Sequence, residues 1–293
     1  MFFHDKRLQF HAKPERPDPL YAKKLQEVLG GQFGEITVMM QYLFQGWNCR
    51  GPAKYRDMLL DIGTEEIAHV EMLATMIARL LEGASTDDQE AAANSSSVIG
   101  AVLGGTSPRD MIMASAMNPQ HLIVSGTGAT PTDSVGYPWN SRYTIASGNL
   151  LADFRSNLTA ESQGRLQVCR LYELTTDTGV REMLSFLIAR DTMHQNQWLV
   201  AIKELEESGL EMTPCPSAFP KDRELSSVAY QFLSCSSDGQ SRNGPWAEGA
   251  SMDGYGTFEY VDSPKPMSEA PQLGPADPML WGTPMNQKQR ATA

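Results

Sequence analysis

Two pairs of residues in this sequence have the types and the spacing to hold metal ions. Glu66 and His69 are three apart in Gly63-Thr64-Glu65-Glu66-Ile67-Ala68-His69, and Asp191 and His194 are three apart in Ala189-Arg190-Asp191-Thr192-Met193-His194. Residues three apart share one face of a helix. Both faces are otherwise apolar: Met58, Leu59, Ile62, Leu73, Met76, Ile77 and Leu80 flank the first pair, and Met183, Leu184, Leu187, Ile188, Trp198, Ile202 and Leu205 the second. A carboxylate and an imidazole on a core face are costly to bury without partners. An ion shared between helices removes that cost. A lone Glu-x-x-His is commonplace on protein surfaces, so the reading depends on whether other helices bring ligands.

Two do. Glu35 lies near the stripe Leu25, Val28, Leu29, Ile36, Met39, Leu43, and Glu161 lies in the pattern Leu150, Leu151, Phe154, Leu158, Leu166, Val168, Leu171, Tyr172. The two halves then read Glu … Glu-x-x-His and Glu … Asp-x-x-His, a pseudo-twofold pair of ligand sets suited to two ions side by side. Carboxylate oxygen with imidazole nitrogen suits manganese or iron. Two ions about 3.5–4 Å apart can bridge one small substrate. Asp191 is one methylene shorter than a glutamate and reads as standing back from the ions.

Four long helices must position these groups. The first starts at Asp18-Pro19, with Asp as N-cap and Pro in the first turn, and is expected to run to about Trp47. The second covers about Ala53 to Leu81, the third opens near Gly148-Asn149, and the fourth covers about Val180 to Glu207. A shorter helix is expected from Ser107 through Met117, and a long loop from Ser125 to Ser141. The predicted fold is all-α: a ferritin-like four-helix bundle over residues 19–212 with long crossover loops. An N-terminal arm (1–18) precedes it. An extended tail (213–293) follows, rich in Pro, Gly and Ser, with one short helical piece near Arg223 to Leu233. Five aromatics between Trp246 and Trp281 favour an ordered tail, packed on a neighbouring subunit, over a disordered one.

Composition bounds the partners. The formal charge of −11 argues against nucleic acid, which needs a basic face, and against an anionic membrane surface. No apolar run approaches the roughly 18–20 residues of a spanning helix. Met1-Phe2-Phe3-His4-Asp5-Lys6-Arg7 lacks the apolar core of a signal peptide, so a cytoplasmic location is expected. Cys49, Cys169, Cys215 and Cys235 are scattered without a Cys-x-x-Cys and read as reduced thiols. His4, His11 and His121 fall outside the ligand pattern.

At this point the chain resembles the manganese catalases, the non-haem dimanganese family. Three stretches carry the likeness: Gln32-Phe33-Gly34-Glu35, Asp61 through His69, and Ala189 through Gln195. The loop segments Ser125-Gly126-Thr127-Gly128-Ala129 and Tyr137-Pro138-Trp139 resemble the family as well. The resemblance implies Glu35 and His69 on one manganese, Glu161 and His194 on the other, and Glu66 bridging both. It implies that Tyr42 hydrogen-bonds and orients Glu35, and that Asp191, at a position where the family has Glu, is the acid/base. An Arg that some members place just before the third helix's ligand is Ala160 here. The implied activity is disproportionation of hydrogen peroxide to water and oxygen, with the metals cycling between II,II and III,III. A homohexamer is implied too. So is calcium between subunits, held by Asp57 and Asp61 with oxygens from a neighbour's tail at Ser234, Ser236 and Asp238, although Ser234-Cys235-Ser236-Ser237-Asp238 departs from the family's Asn-x-Ser-x-Gly. The competing readings are a ferritin-like di-iron ferroxidase or iron store, and a coat-type structural protein of the same fold. The long tail weighs against the former and the complete ligand set against the latter.

Overall fold

The computed structural model describes residues 6–82, 124–209 and 221–272. The helix expected from Ser107 to Met117, with His4, His121, Cys215 and Trp281, lies outside them. The chain divides into two units between Phe219 and Pro220.

The first unit is the helical bundle: α1 (Pro19–Gly30), α2 (Glu35–Asn48), α3 (Ala53–Leu81), α4 (Leu150–Glu173) and α5 (Thr178–Ser208). Side-chain caps start three of them. Asp18 accepts from Tyr21 N, Asn149 from Ala152 N and Asp177 from Val180 N, each supplying an acceptor to an otherwise unpaired amide. α5 ends at Gly209, whose φ of 66° lies in the left-handed region that favours glycine.

The single helix expected from Pro19 to Trp47 is two. It breaks after Gly30 and restarts at Glu35, with Gly31 and Gly34 both extended (ψ 177° and 169°). The physical reason lies in the linker that follows α3. A Cβ on Gly30 would collide with the backbone of Thr132, and one on Gly34 would meet Val28 O at 2.8 Å. Gln26 fastens this strap by donating to Thr130 O (2.6 Å) and Thr132 O (2.8 Å) and accepting from Thr130 N. Farther along, Trp139 Nε1 donates to Thr37 Oγ1, and Gln45 donates to Ile145 O. The break makes Glu35 the first residue of α2, where the helix dipole favours a carboxylate.

The apolar core of the unit falls into two clusters. One gathers Tyr21, Leu25, Leu29, Met72, Met76, Val168, Met183 and Leu187; the other gathers Val38, Tyr42, Leu59, Ile62, Phe154, Trp198 and Leu205. On α3 the second cluster ends at Ile62 and the first begins at Met72; on α5 the first ends at Leu187 and the second begins at Trp198. The acidic and imidazole side chains fill the layer between. The arm packs in the first cluster through Ala12, with Phe10 stacked on Phe186 at 4.7 Å between ring centroids.

The second unit keeps the short helical piece expected near Arg223 to Leu233 only in part and adds strands to the tail read as extended. Only Ser226–Ala229 (α6) is α-helical there among the described residues, and it is followed by three short strands. β1 (Gln231–Ser234) runs parallel to β3 (Thr257–Asp262), with Gln231 opposite Glu259, and β2 (Gly249–Ala250) pairs antiparallel with β3. The aromatics work as sheet residues: Phe232 meets Tyr260 edge-on at 5.2 Å, and Tyr260 donates to Ser234 Oγ at 2.8 Å.

Candidate metal centre

Four helices deliver the layer between the two apolar clusters. α2 brings Glu35, α3 brings Glu66 and His69, α4 brings Glu161, and α5 brings Asp191 and His194, all buried. Two groups of ligand atoms converge, each within 4.8 Å: Glu35, Glu66 and His69, and Glu66, Glu161 and His194. Glu66 belongs to both. Its Oε2 lies 2.7 Å from His69 Nδ1 and its Oε1 lies 2.8 Å from His194 Nδ1. Glu35 Oε2 is 3.7 Å from His69 Nδ1, and Glu161 Oε1 is 3.5 Å from His194 Nδ1. The two imidazoles stack with centroids 5.7 Å apart.

The electrostatics are those of a cation site. Burial pushes the Glu35 carboxyl up to about 8, and the charge on Glu66 adds to the rise. Burial also raises Glu161, Glu66 adding to it. Glu66 goes the other way: burial opposes its charge, but His69 and His194 outweigh burial and hold it well below the carboxylate range. Burial would lower both imidazoles. Glu66 outweighs it at His69, and Glu161, Glu65 and Glu66 carry His194 up to about 12. In the bare chain the protonated imidazoles therefore take the place of cations. The donor set fits two hard divalent ions, and one buried pair marks where they belong. Glu66 Oε1 and His194 Nδ1 lie 2.8 Å apart, yet neither makes a hydrogen bond.

Tyr42 is buried, but it bonds a different carboxylate from the one expected. Its hydroxyl donates to Glu161 Oε1 at 2.6 Å, not to Glu35. The phenol is seven residues past Glu35 on α2 and reaches across the bundle to α4 instead of back along its own helix. Asp191 stands in neither ligand group, although it shares the layer. Burial, then the charges of Glu35, Glu161 and Glu66, raise its carboxyl well above the usual range. Ala160 packs in the apolar cluster beside the site.

Sequence reading left three neighbours of the centre without a role. Glu65 Oε2 lies 3.1 Å from His194 Nε2 and Glu65 Oε1 lies 3.7 Å from His69 Nε2. Arg190 grips the same carboxylate through Nε (2.6 Å) and Nη2 (3.1 Å), and Gln9 of the arm donates to it at 2.8 Å. The signal was available: Glu65 and Arg190 each stand four residues before a histidine, hence on its face. Of the calcium candidates, Asp57 and Asp61 are exposed on α3. Ser234 closes β1, and Ser236 donates to Asp238 at 2.7 Å in the turn beyond it.

The sequence model of the manganese containing catalase family matches residues 1–293. A Bacillus subtilis protein named YjqC is 59% identical over 283 residues, covering 97% of this chain and 98% of its own length. A manganese catalase of Bacillus subtilis is 57% identical with the same coverage. The crystal structure of KatB, a manganese catalase from Anabaena, superposes with a TM-score of 0.66 at 26% identity, covering 90% of this chain and all of that one.

Proposed function

The chain belongs to the manganese catalase family, and on that premise we infer how its own residues share the disproportionation of hydrogen peroxide to water and oxygen. The cofactor is a dimanganese centre, which when bound supplies a two-electron store, passing between II,II and III,III as one peroxide is reduced and another oxidised. We assign Glu35 and His69 to one manganese, Glu161 and His194 to the other, and Glu66 to both. The observation that carries this is Glu66, whose two oxygens each face a different imidazole Nδ1 at 2.7 and 2.8 Å.

The remaining residues handle geometry and protons. Tyr42 fixes the Glu161 carboxylate from behind. Reducing one peroxide to water consumes two protons, and oxidising the second returns two. Asp191 holds and passes them: it is buried beside the ligands without being one of the converging set. The apolar clusters on either side keep bulk water and larger reductants from the layer.

The experiment that tests this measures metal content and oxygen evolution on the same sample. About two manganese per chain, oxygen released from peroxide and no haem band are expected. Stoichiometric iron with ferroxidase turnover and no oxygen would overturn it.

Exposed Phe44 and Trp47 on α2, and Met193, Leu199 and Val200 on α5, support burial against other copies, with residues 213–293 as the arm between them. A homohexamer is the expected state. No helix among the described residues is long and apolar enough to cross a membrane. A cytoplasmic location remains the expectation. Calcium at Asp57 and Asp61 of one copy, completed by Ser234, Ser236 and Asp238 of a neighbouring copy's tail, would act as a structural clip between subunits. A chelator that leaves melting temperature and oligomer size unchanged would remove it.

A further inference from the structure

The two halves of the centre carry matching turns, Glu65-Glu66-x-x-His69 on α3 and Arg190-Asp191-x-x-His194 on α5. Glu65 and Arg190 therefore occupy equivalent positions, with opposite charges. They meet across the pseudo-twofold: Arg190 donates to both Glu65 oxygens, at 2.6 Å from Nε and 3.1 Å from Nη2. The same carboxylate lies on the outer side of both imidazoles, 3.1 Å from Nε2 of His194 and 3.7 Å from Nε2 of His69. His69 Nε2 is buried and has no hydrogen-bond partner among the described residues, so Glu65 is the acceptor placed to receive it.

We propose that Glu65 is a positioning residue shared by both metal-binding histidines, and that Arg190 and Gln9 are the clamp that holds it in place. This rests on the assignment of His69 and His194 as ligands through Nδ1. An imidazole that donates Nε2–H to a carboxylate is fixed in one tautomer, with the Nδ1 lone pair free for a metal. Most such sites use one acceptor per histidine. Here one carboxylate can serve two, because its neighbour Glu66 spans the same two rings from the inner side. The two adjacent glutamates of α3 thus bracket both imidazoles, Glu66 at the Nδ1 atoms and Glu65 at the Nε2 atoms. Bidentate contact with a planar guanidinium sets the plane of the Glu65 carboxylate, which an ammonium would not. Gln9 adds a third donor at 2.8 Å and ties the N-terminal arm to the centre.

The alternative is an ordinary ion pair between α3 and α5 that happens to lie near the site. Glu65→Gln separates the two. Its amide presents one oxygen, so it cannot accept from both histidines, and it loses the charge that pairs with Arg190. In the full-length manganese-loaded enzyme, the rate at which a chelator strips manganese is measured beside the melting temperature of the metal-free protein. The expected result is roughly a 10- to 100-fold loss of manganese affinity, with metal-free melting near that of the parent. Parental manganese retention in Glu65→Gln would overturn the proposal. So would a fall in metal-free melting that accounts for the whole loss on loading, since that is the behaviour of a plain ion pair. If Glu65→Gln does not fold, Arg190→Gln decides, because Glu65 remains but is unclamped. Faster manganese loss at unchanged metal-free melting supports the clamp, and an unchanged rate overturns it. If the parent protein itself holds no manganese, the dimanganese assignment fails, and that outcome is distinct from a loaded parent with an unaffected Glu65→Gln.

Discussion

Replacing Tyr42 with phenylalanine removes one oxygen atom from the centre and leaves the ring in place. That oxygen donates to Glu161 Oε1 at 2.6 Å, and both residues are buried. Burial, then the charge on Glu161, raises the phenol well above its ordinary value, so it is a neutral donor at every working pH. The ring still packs against Trp198, with centroids 5.0 Å apart, so the loss is the hydrogen bond and not the packing. A hydrogen bond to a charged group is worth about 1.5–3 kcal/mol, which corresponds to roughly a 10- to 150-fold weaker hold on whatever Glu161 binds. The effect is one-sided, because the phenol donates its hydrogen bond to Glu161. Release of manganese to a chelator, followed in time, should become biphasic in Tyr42→Phe, with the first equivalent leaving faster than in the parent by about that factor. Two equivalents released at the parental rate would refute the reasoning. So would a spectroscopic assignment of the early loss to the Glu35 and His69 side.

Glu66→Gln should lose nearly all activity and both metals, since a neutral amide oxygen is a poorer ligand and one side chain serves both ions; parental metal content and rate would remove Glu66 from the centre. Asp191→Asn keeps the shape but not the proton exchange, and should retain most manganese while slowing oxygen evolution about 10²–10⁴-fold; metal lost in parallel with rate would make Asp191 a ligand instead. Loading the metal-free chain at pH 8 should release protons. His194 is raised to about 12 without metal and so is protonated at that pH, yet it must shed a proton to coordinate. An indicator dye in weak buffer reads the release, and no proton release would contradict the imidazolium picture. Truncation after Phe219 should leave the bundle folded with its metals but weaken assembly, as judged by light scattering; an unchanged oligomer would show that the tail is not the arm between copies.

Much of the centre was legible in the chain because helices impose a period. Glu66 with His69 and Asp191 with His194 had to share faces, and those faces were apolar, so the polar groups had to be satisfied inside a core. Glu35 and Glu161 followed from the same rule applied to their own helices. Periodicity gave the type and approximate bounds of α3, α4 and α5: α3 was expected over Ala53 to Leu81 and occupies those residues. The family likeness was legible for the same reason, since its motifs are the helix turns that carry the ligands.

Tertiary structure decided what no single helix encodes. Whether the Tyr42 hydroxyl meets Glu35 on its own helix or Glu161 across the bundle depends on how α2 packs against α4, which neither helix encodes alone, and the break between α1 and α2 likewise depends on a distant segment. That break is made by a strap more than a hundred residues away in sequence, where Gln26 fastens Thr130 and Thr132 over glycines with no room for a Cβ. The strands of the second unit were hidden because short pairings such as β1 with β3 are fixed by partners far apart in sequence, not by local period. Glu65 illustrates the same limit. Its spacing from His69 places it on the right face, but the second imidazole, the guanidinium of Arg190 and the amide of Gln9 reach it from other elements, and only the packed bundle brings the three donors to one carboxylate.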